Sequence, residues 1–200
     1  MATKVDRPYH HGSLRQDVIA AAVAEVEAVG AAHLSMREIA RRAGVSHAAP
    51  AHHFADKAGI FTAIATEGFR LISAAIAPAG APPIGMLQGG LAYIQFAIEH
   101  RGHFEVMFRP DLYHCDDPEL VEARTAAFAI LEDTARESVD TEEDVTGLVV
   151  AGWSAAHGFA TLWLHANLQD TLGTDLATIT AEIARGFITL GTVTQKELPT

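Results

Sequence analysis

Two groups of residues in this chain have types and spacings that could do chemistry. The first is Ser35, Arg37, Ser46, His47, Ala48, Ala49, His52, His53 and Lys57. These are hydroxyls, imidazoles, cations and small apolar side chains strung along two short helical segments. Orphan backbone N–H groups and the helix dipole make a helix N-terminus receptive to phosphate. Base edges ask for something different: His47 can donate to guanine N7 or O6, and Ala48 or Ala49 can touch a thymine methyl. Ser46, His47, Ala48 and Ala49 are thus candidate base readers. Ser35, Arg37, Ser46, His53 and Lys57 are candidate phosphate clamps, with His52 a further one and Lys4 and Arg7 on an N-terminal arm. A helical packing unit with no ligand is the other reading of the same segments.

The second group is apolar with a polar tip. Phe96, Phe104, Met107, Phe108 and Tyr113 could wall a small-molecule pocket. Trp153 and His157 are four residues apart, so they stack on one helix face, which Leu164 continues. Leu148, Ala151, Ala155, Phe159 and Leu162 fall on another face. His157 fits either a pocket or a hydrogen-bonded core histidine. His100, His103, His114, Cys115, Asp116 and Asp117 are close in sequence. Gly102 is expected to break the helix between the first two, and the aspartates read as a cap before Pro118, so no metal site is expected. There is no Gly-rich phosphate loop and no nucleophile elbow. No cofactor, no catalytic residue and no enzymatic activity are expected.

Helices must position these groups. Ser13 with Gln16, and Ser35 with Glu38, have the spacing of capping boxes. Ile19, Ala22, Val23 and Val26 give the first helix an apolar stripe, and Gly30 ends it. Met36, Ile39, Ala40 and Ala43 do the same for the second, which Gly44 stops. Ser46 is expected to cap a short third helix ending near His53–Phe54. Asp56 should cap a fourth, with Ile60, Phe61, Ile64 and Ile72 inward. Two short helices joined at Gly44-Val45, with small residues at the contact, make a helix-turn-helix. Ala77–Pro83 reads as a linker. The expected domains are 1–77, a DNA-binding head with a linking helix, and 78–200, a helical body. In the body, helices are expected over Ile84–His100, after Asp117-Pro118, and from about Glu143 to Leu168. A last stripe follows: Leu176, Ile179, Ile183, Phe187 and Leu190. No stretch alternates as a strand would, so the fold class is all-α.

Composition agrees with a cytoplasmic helical protein. The chain has 200 residues, 49% of them hydrophobic, and one cysteine, which excludes a disulfide framework. Net charge is −11. Residues 1–70 hold eight Lys/Arg against seven Asp/Glu, with six of the eleven His, whereas residues 71–200 hold six against eighteen. The near-neutral head is therefore compatible with nucleic acid although the whole chain is acidic. Met1–Arg15 is polar, unlike a signal peptide. Leu71–Ile98 and Val145–Gln169 lack Asp, Glu, Lys and Arg. Prolines break the first. The second reads as a helix buried on all sides rather than a membrane span, so no membrane partner is expected.

His11-Gly12-Ser13-Leu14-Arg15, then Leu34-Ser35-Met36-Arg37-Glu38-Ile39-Ala40-Arg41-Arg42-Ala43-Gly44-Val45-Ser46, then His53-Phe54-Ala55-Asp56-Lys57 resemble the DNA-binding domain of TetR-family transcriptional regulators. The resemblance covers about residues 10–72. A shorter one, over about Val149–Leu164, links Trp153, His157 and Gly158 to the Trp-His-Gly type of C-terminal domain in that family. The resemblance implies a homodimer, a three-helix head on a pseudo-palindromic operator, and a body that binds a small-molecule effector and releases the repressor. In one departure, Ala51 stands where the family usually has a Tyr packed on the DNA backbone. The alternative class is a helical small-molecule-binding dimer with a decayed head. Gly147, Ala151 and Ala155 at four-residue spacing, with the last stripe, suggest the dimer interface.

Overall fold

The computed structural model describes residues 11–77, 85–166 and 168–173, and then 175, 178, 179, 181–183, 185, 186 and 189; of residues 11–13 it describes the backbone alone. Lys4 and Arg7, most of the Ala77–Pro83 linker, and Leu176, Phe187 and Leu190 lie outside these residues, as does the Ser13 side chain. The described elements are helices α1 (His11–Val29), α2 (Met36–Arg42), α3 (Ala49–Phe54), α4 (Lys57–Ile76), α5 (Met86–Glu99), α6 (Arg101–Met107), α7 (Pro118–Arg136), α8 (Glu142–His165) and α9 (Leu168–Leu172). A 3-10 turn, Ala31–His33, joins α1 to α2. No strand occurs among the described residues, so the all-α expectation holds.

The chain forms two compact units. One comprises residues up to Ala74 with Glu99–Ala129; the other comprises Ala75–Ile98 with the chain from Ile130 onward. In the first, Val18, Ile19, Ala22 and Val26 of α1 are buried with Ile39 and Ala40 of α2, Phe54 of α3, and Ile60, Phe61, Ile64 and Ile72 of α4. These are the spacings of three and four that the sequence offers. Helix α6 packs on α1 and α4 through two glycines. A Cβ on Gly102 would lie 2.9 Å from the Val23 carbonyl oxygen, and one on Gly68 would lie 2.5 Å from Met107 Sδ. The break between α5 and α6 falls at His100 (φ −118°, ψ 46°), not at Gly102 as expected. Gly102 lies inside α6 because only a hydrogen fits against α1.

In the second unit, Ala135, Val145 and Val149 form a core to which Met86, Leu131, Val139 and Leu148 add. Thr141 caps α8, its Oγ1 accepting from the Asp144 N–H at 3.2 Å. Helix α8 is not buried on all sides as expected. Val145, Val149, Ala156, Ala160 and Trp163 turn inward, while Val150 (56%) and Leu162 (52%) remain exposed. By length and composition, α4 and α8 could each cross a membrane, but α4 is largely buried in its own unit. The α8 helix ends at His165, and α9 follows as a separate turn.

Candidate nucleic-acid interface and helical body

The turn between α2 and α3 is built by backbone conformation. Gly44 adopts φ +67°, a left-handed value that costs glycine little. It lets the Val45 N–H donate to the Ala40 carbonyl at 3.0 Å. The Ser35 hydroxyl accepts from the Glu38 N–H at 3.5 Å, so half of the expected capping box is present. The other half is not: the Glu38 carboxylate is taken by Arg41, whose Nε donates at 2.8 Å, and by Arg42. Ser46 is not the cap of α3. That position is Ala48, which makes no side-chain cap bond. The Ser46 carbonyl accepts from the Ala49 N–H at 3.0 Å instead, so Ser46, His47 and Ala48 form the turn leading into the helix.

Around this corner Ser35, Arg37, Ser46, His47, Ala48, Ala51 and His52 are exposed, and Ala49, His53 and Lys57 are half-buried. Pro50 is buried in the first turn, where its missing N–H is tolerated. The His52 and His53 rings meet edge-on at 5.5 Å. The Lys57 ammonium is 3.4 Å from the Ala32 carbonyl and lies over the Phe61 ring. The Arg15 guanidinium covers the Phe54 ring. Arg42 is anchored by Nε to the buried Glu25 carboxylate at 2.7 Å.

The exit from α3 is tight. Ala55 has φ 61° and ψ −58°, and the Asp56 N–H donates to the Phe54 carbonyl at 2.7 Å. Asp56 caps α4 as expected, its Oδ1 accepting from the Gly59 N–H at 2.7 Å. That bond, with help from His114, holds the Asp56 carboxyl below the usual carboxylate range. His114 Nε2 is 3.3 Å from the same oxygen, and the His114 N–H donates to Thr62 Oγ1 at 3.1 Å. The segment between α6 and α7 is thereby tied to the start of α4.

The seven body residues singled out in the sequence divide between the two units. Phe104, Met107, Phe108 and Tyr113 belong to the first, where Phe108 meets Phe69 at 6.0 Å and Phe104 at 5.4 Å. The Tyr113 hydroxyl donates to the Met107 carbonyl at 2.9 Å. Phe96, Trp153 and His157 belong to the second. Trp153 and His157 meet there on a residue that sequence reasoning missed. Tyr93 Oη accepts from Trp153 Nε1 at 3.3 Å and is 2.8 Å from His157 Nδ1. Burial pushes the Tyr93 phenol up and the His157 imidazole down. Tyr93 is 60 residues from Trp153, and no local spacing could have named it.

Among the described residues no three of His, Cys, Asp and Glu converge as ligands. His103 is turned to Glu67 at 3.2 Å and His114 to Asp56, while Asp117 caps α7 by accepting from the Leu120 N–H at 3.1 Å.

Comparisons with known proteins match both ends of this description. Residues 18–64 match the model of bacterial regulatory proteins of the tetR family, and residues 86–187 match the tetracyclin repressor-like C-terminal domain. No curated protein matches the chain. Among solved structures, a protein of unknown function from Rhodococcus sp. RHA1 is 30% identical, with a TM-score of 0.68 over 90% of this chain and 98% of that one. A TetR-like transcriptional regulator from the same organism is 19% identical, with a TM-score of 0.62 over 88% and 94%. A tetR-family regulatory protein from Rhodococcus RHA1 is 20% identical, with a TM-score of 0.61 over 86% and 93%. With a capped helix-turn-helix at one end and a helical domain of the family's C-terminal type at the other, the chain belongs to the tetR family of bacterial transcriptional regulators.

Proposed function

We propose that the protein is a cytoplasmic homodimeric repressor that binds a pseudo-palindromic operator and is released by a small-molecule effector. The observation that carries the DNA reading is the exposed corner of Ser35, Arg37, Ser46, His47, Ala48 and His52 on an otherwise packed three-helix head. Ser46, His47, Ala48 and Ala49 are assigned to base edges. Ser35, Arg37, His52, His53 and Lys57 are assigned to phosphates. The effector is assigned to the body, with Trp153 and His157, held by Tyr93, as its polar contacts. Phe96, of the same unit, supplies apolar wall. An effector can shift the head-to-head equilibrium only by its differential affinity for the two arrangements.

The test is binding to duplex DNA from upstream of the gene, followed by fluorescence anisotropy across a salt series. Lys57→Ala should flatten the salt dependence by about 0.9 for each phosphate it leaves unneutralised, on every sequence alike. His157→Phe keeps the ring and removes the polar handle. It should leave operator binding intact and blunt release by the effector. A second reading, a small-molecule-binding dimer with a decayed head, draws on Ala51, which is exposed and offers no phenol to DNA. Failure to bind any upstream duplex would select it.

A further inference from the structure

Between Arg42 and Lys57 the chain carries no lysine or arginine, although this stretch includes the turn and the whole of α3. Its basic groups are His47, His52 and His53. His47 and His52 are exposed; His53 is half-buried beside Phe54. Non-specific DNA binding draws its strength from neutralising phosphates, and most of the fixed cations around α3 already have a contact within the head. On α2, Arg41 is paired with Glu38, and Arg42 with Glu25 of α1 and with Glu38. Arg15 of α1 covers Phe54, and Asp17 adds a negative charge to the same helix. At the head of α4, Lys57 lies against Ala32 and Phe61, while Asp56 faces His114. Arg37 is the remaining cation of α2 and is exposed.

We propose that His47 in the turn and His52 and His53 on α3 grip DNA as imidazolium ions, so that DNA binding by this head takes up protons and strengthens as pH falls. The proposal rests on the DNA-binding reading above and adds its regulation. Imidazole changes charge between about pH 5 and 8. Two neighbouring rings such as His52 and His53, 5.5 Å apart, repel when both are charged, and a phosphate set against them offsets that repulsion. The bound head therefore holds more protons than the free one. By linkage, its affinity rises on acidification.

The experiment uses the full-length protein and a fluorescein-labelled mixed-sequence duplex, with anisotropy measured over a salt series at about pH 8 and about pH 6. Far-UV circular dichroism at both values confirms that the helices persist. Affinity should rise about tenfold or more at the lower pH, and the log–log salt slope should steepen by about 0.9 for each histidine that is charged in the complex. The His47→Gln/His52→Gln/His53→Gln triple variant should lose this response, and His52→Arg should bind at high pH with a steeper slope than the parent. His33→Gln, on the 3-10 turn outside α3, should keep the response. Equal affinity and slope at both pH values overturn the proposal, as does a response that survives in the triple variant. Absence of binding at every pH and salt overturns the DNA-binding reading as well.

Discussion

Ala51 and Ala55 are two small residues on either side of the His53–Phe54 pair, and they make opposite demands. Ala51 is exposed on α3, so a larger side chain has room there. Ala51→Tyr would offer DNA a phenol donor and a ring face. A hydrogen bond to a charged group is worth roughly 1.5–3 kcal/mol when well made. With imperfect geometry the expected gain is about tenfold in affinity, or ~1.4 kcal/mol. It should appear on specific and non-specific duplexes alike, as anisotropy would show, because a phosphate carries no base identity. Ala55 is constrained by its backbone. Its φ of 61° and ψ of −58° describe the rare positive-φ γ-turn, which is strained for a residue with a Cβ. Ala55→Gly should stabilise the protein by about 1 kcal/mol, after allowing for the entropy that glycine adds to the unfolded chain. A urea midpoint that rises at unchanged slope would confirm it. Gly59, four residues on, offers no such latitude: its Cβ would stand 2.0 Å from the Phe54 carbonyl oxygen.

Between elements, the contact of α6 with α4 holds an acid-sensitive group. His103 is buried, bonds Glu67 through Nε2, and leaves Nδ1 with no partner. Burial is the larger influence and lowers its pKa; Glu67 and Glu27 act against it, and His100 acts with it. A histidine whose folded pKa is depressed binds fewer protons folded than unfolded. Stability is therefore complete above the unfolded value, about 6.5, and is lost as pH falls from there through the folded one. Urea midpoints should fall between about pH 7.5 and pH 5.5, and His103→Gln should lessen the fall. The same helix shows how far the sequence can be read. Apolar spacing placed the stripes of α1, α2 and α4, and Asp56 and Asp117 were legible as caps because a carboxylate before a helix has one favourable use. The start of α6 was not legible: the chain bends at His100 with no proline or glycine to mark it, and Gly102 imitates a breaker while serving as a contact surface for α1. Ser46 misled for a related reason, since its carbonyl closes the turn before α3 and its hydroxyl caps nothing there. Trp153 and His157 were found by their four-residue spacing, whereas Tyr93, which joins them, reaches them only through the fold.

At the scale of the whole molecule, the proposed homodimer turns on α8. Gly147, Val150, Ala151, Ser154 and Leu162 are exposed on one side of it, opposite the line of Val145, Val149, Ala156 and Ala160 that packs within its unit. Of the expected Gly147, Ala151 and Ala155, the last is half-buried; Gly147 and Ala151, with Ser154, would let a second helix approach closely, and Val150 and Leu162 give it apolar area to cover. In the proposed homodimer a second copy of the chain would cover this face and bring a second head to the operator. Joining two heads raises overall affinity by about 10²–10⁴ with no new contact to DNA, provided both can engage at once. Ala151→Arg places a charge at the centre of the face. Because Ala151 is already exposed in the single chain, the variant should fold normally by circular dichroism. It should elute as a monomer in size-exclusion chromatography with light scattering, and bind a two-half-site duplex about a hundredfold or more weakly. On a duplex bearing one half-site the weakening should be slight, since each head keeps its own hold on DNA. A variant that stays dimeric with unchanged affinity would place the dimer contact on another surface and leave the exposed side of α8 to another partner.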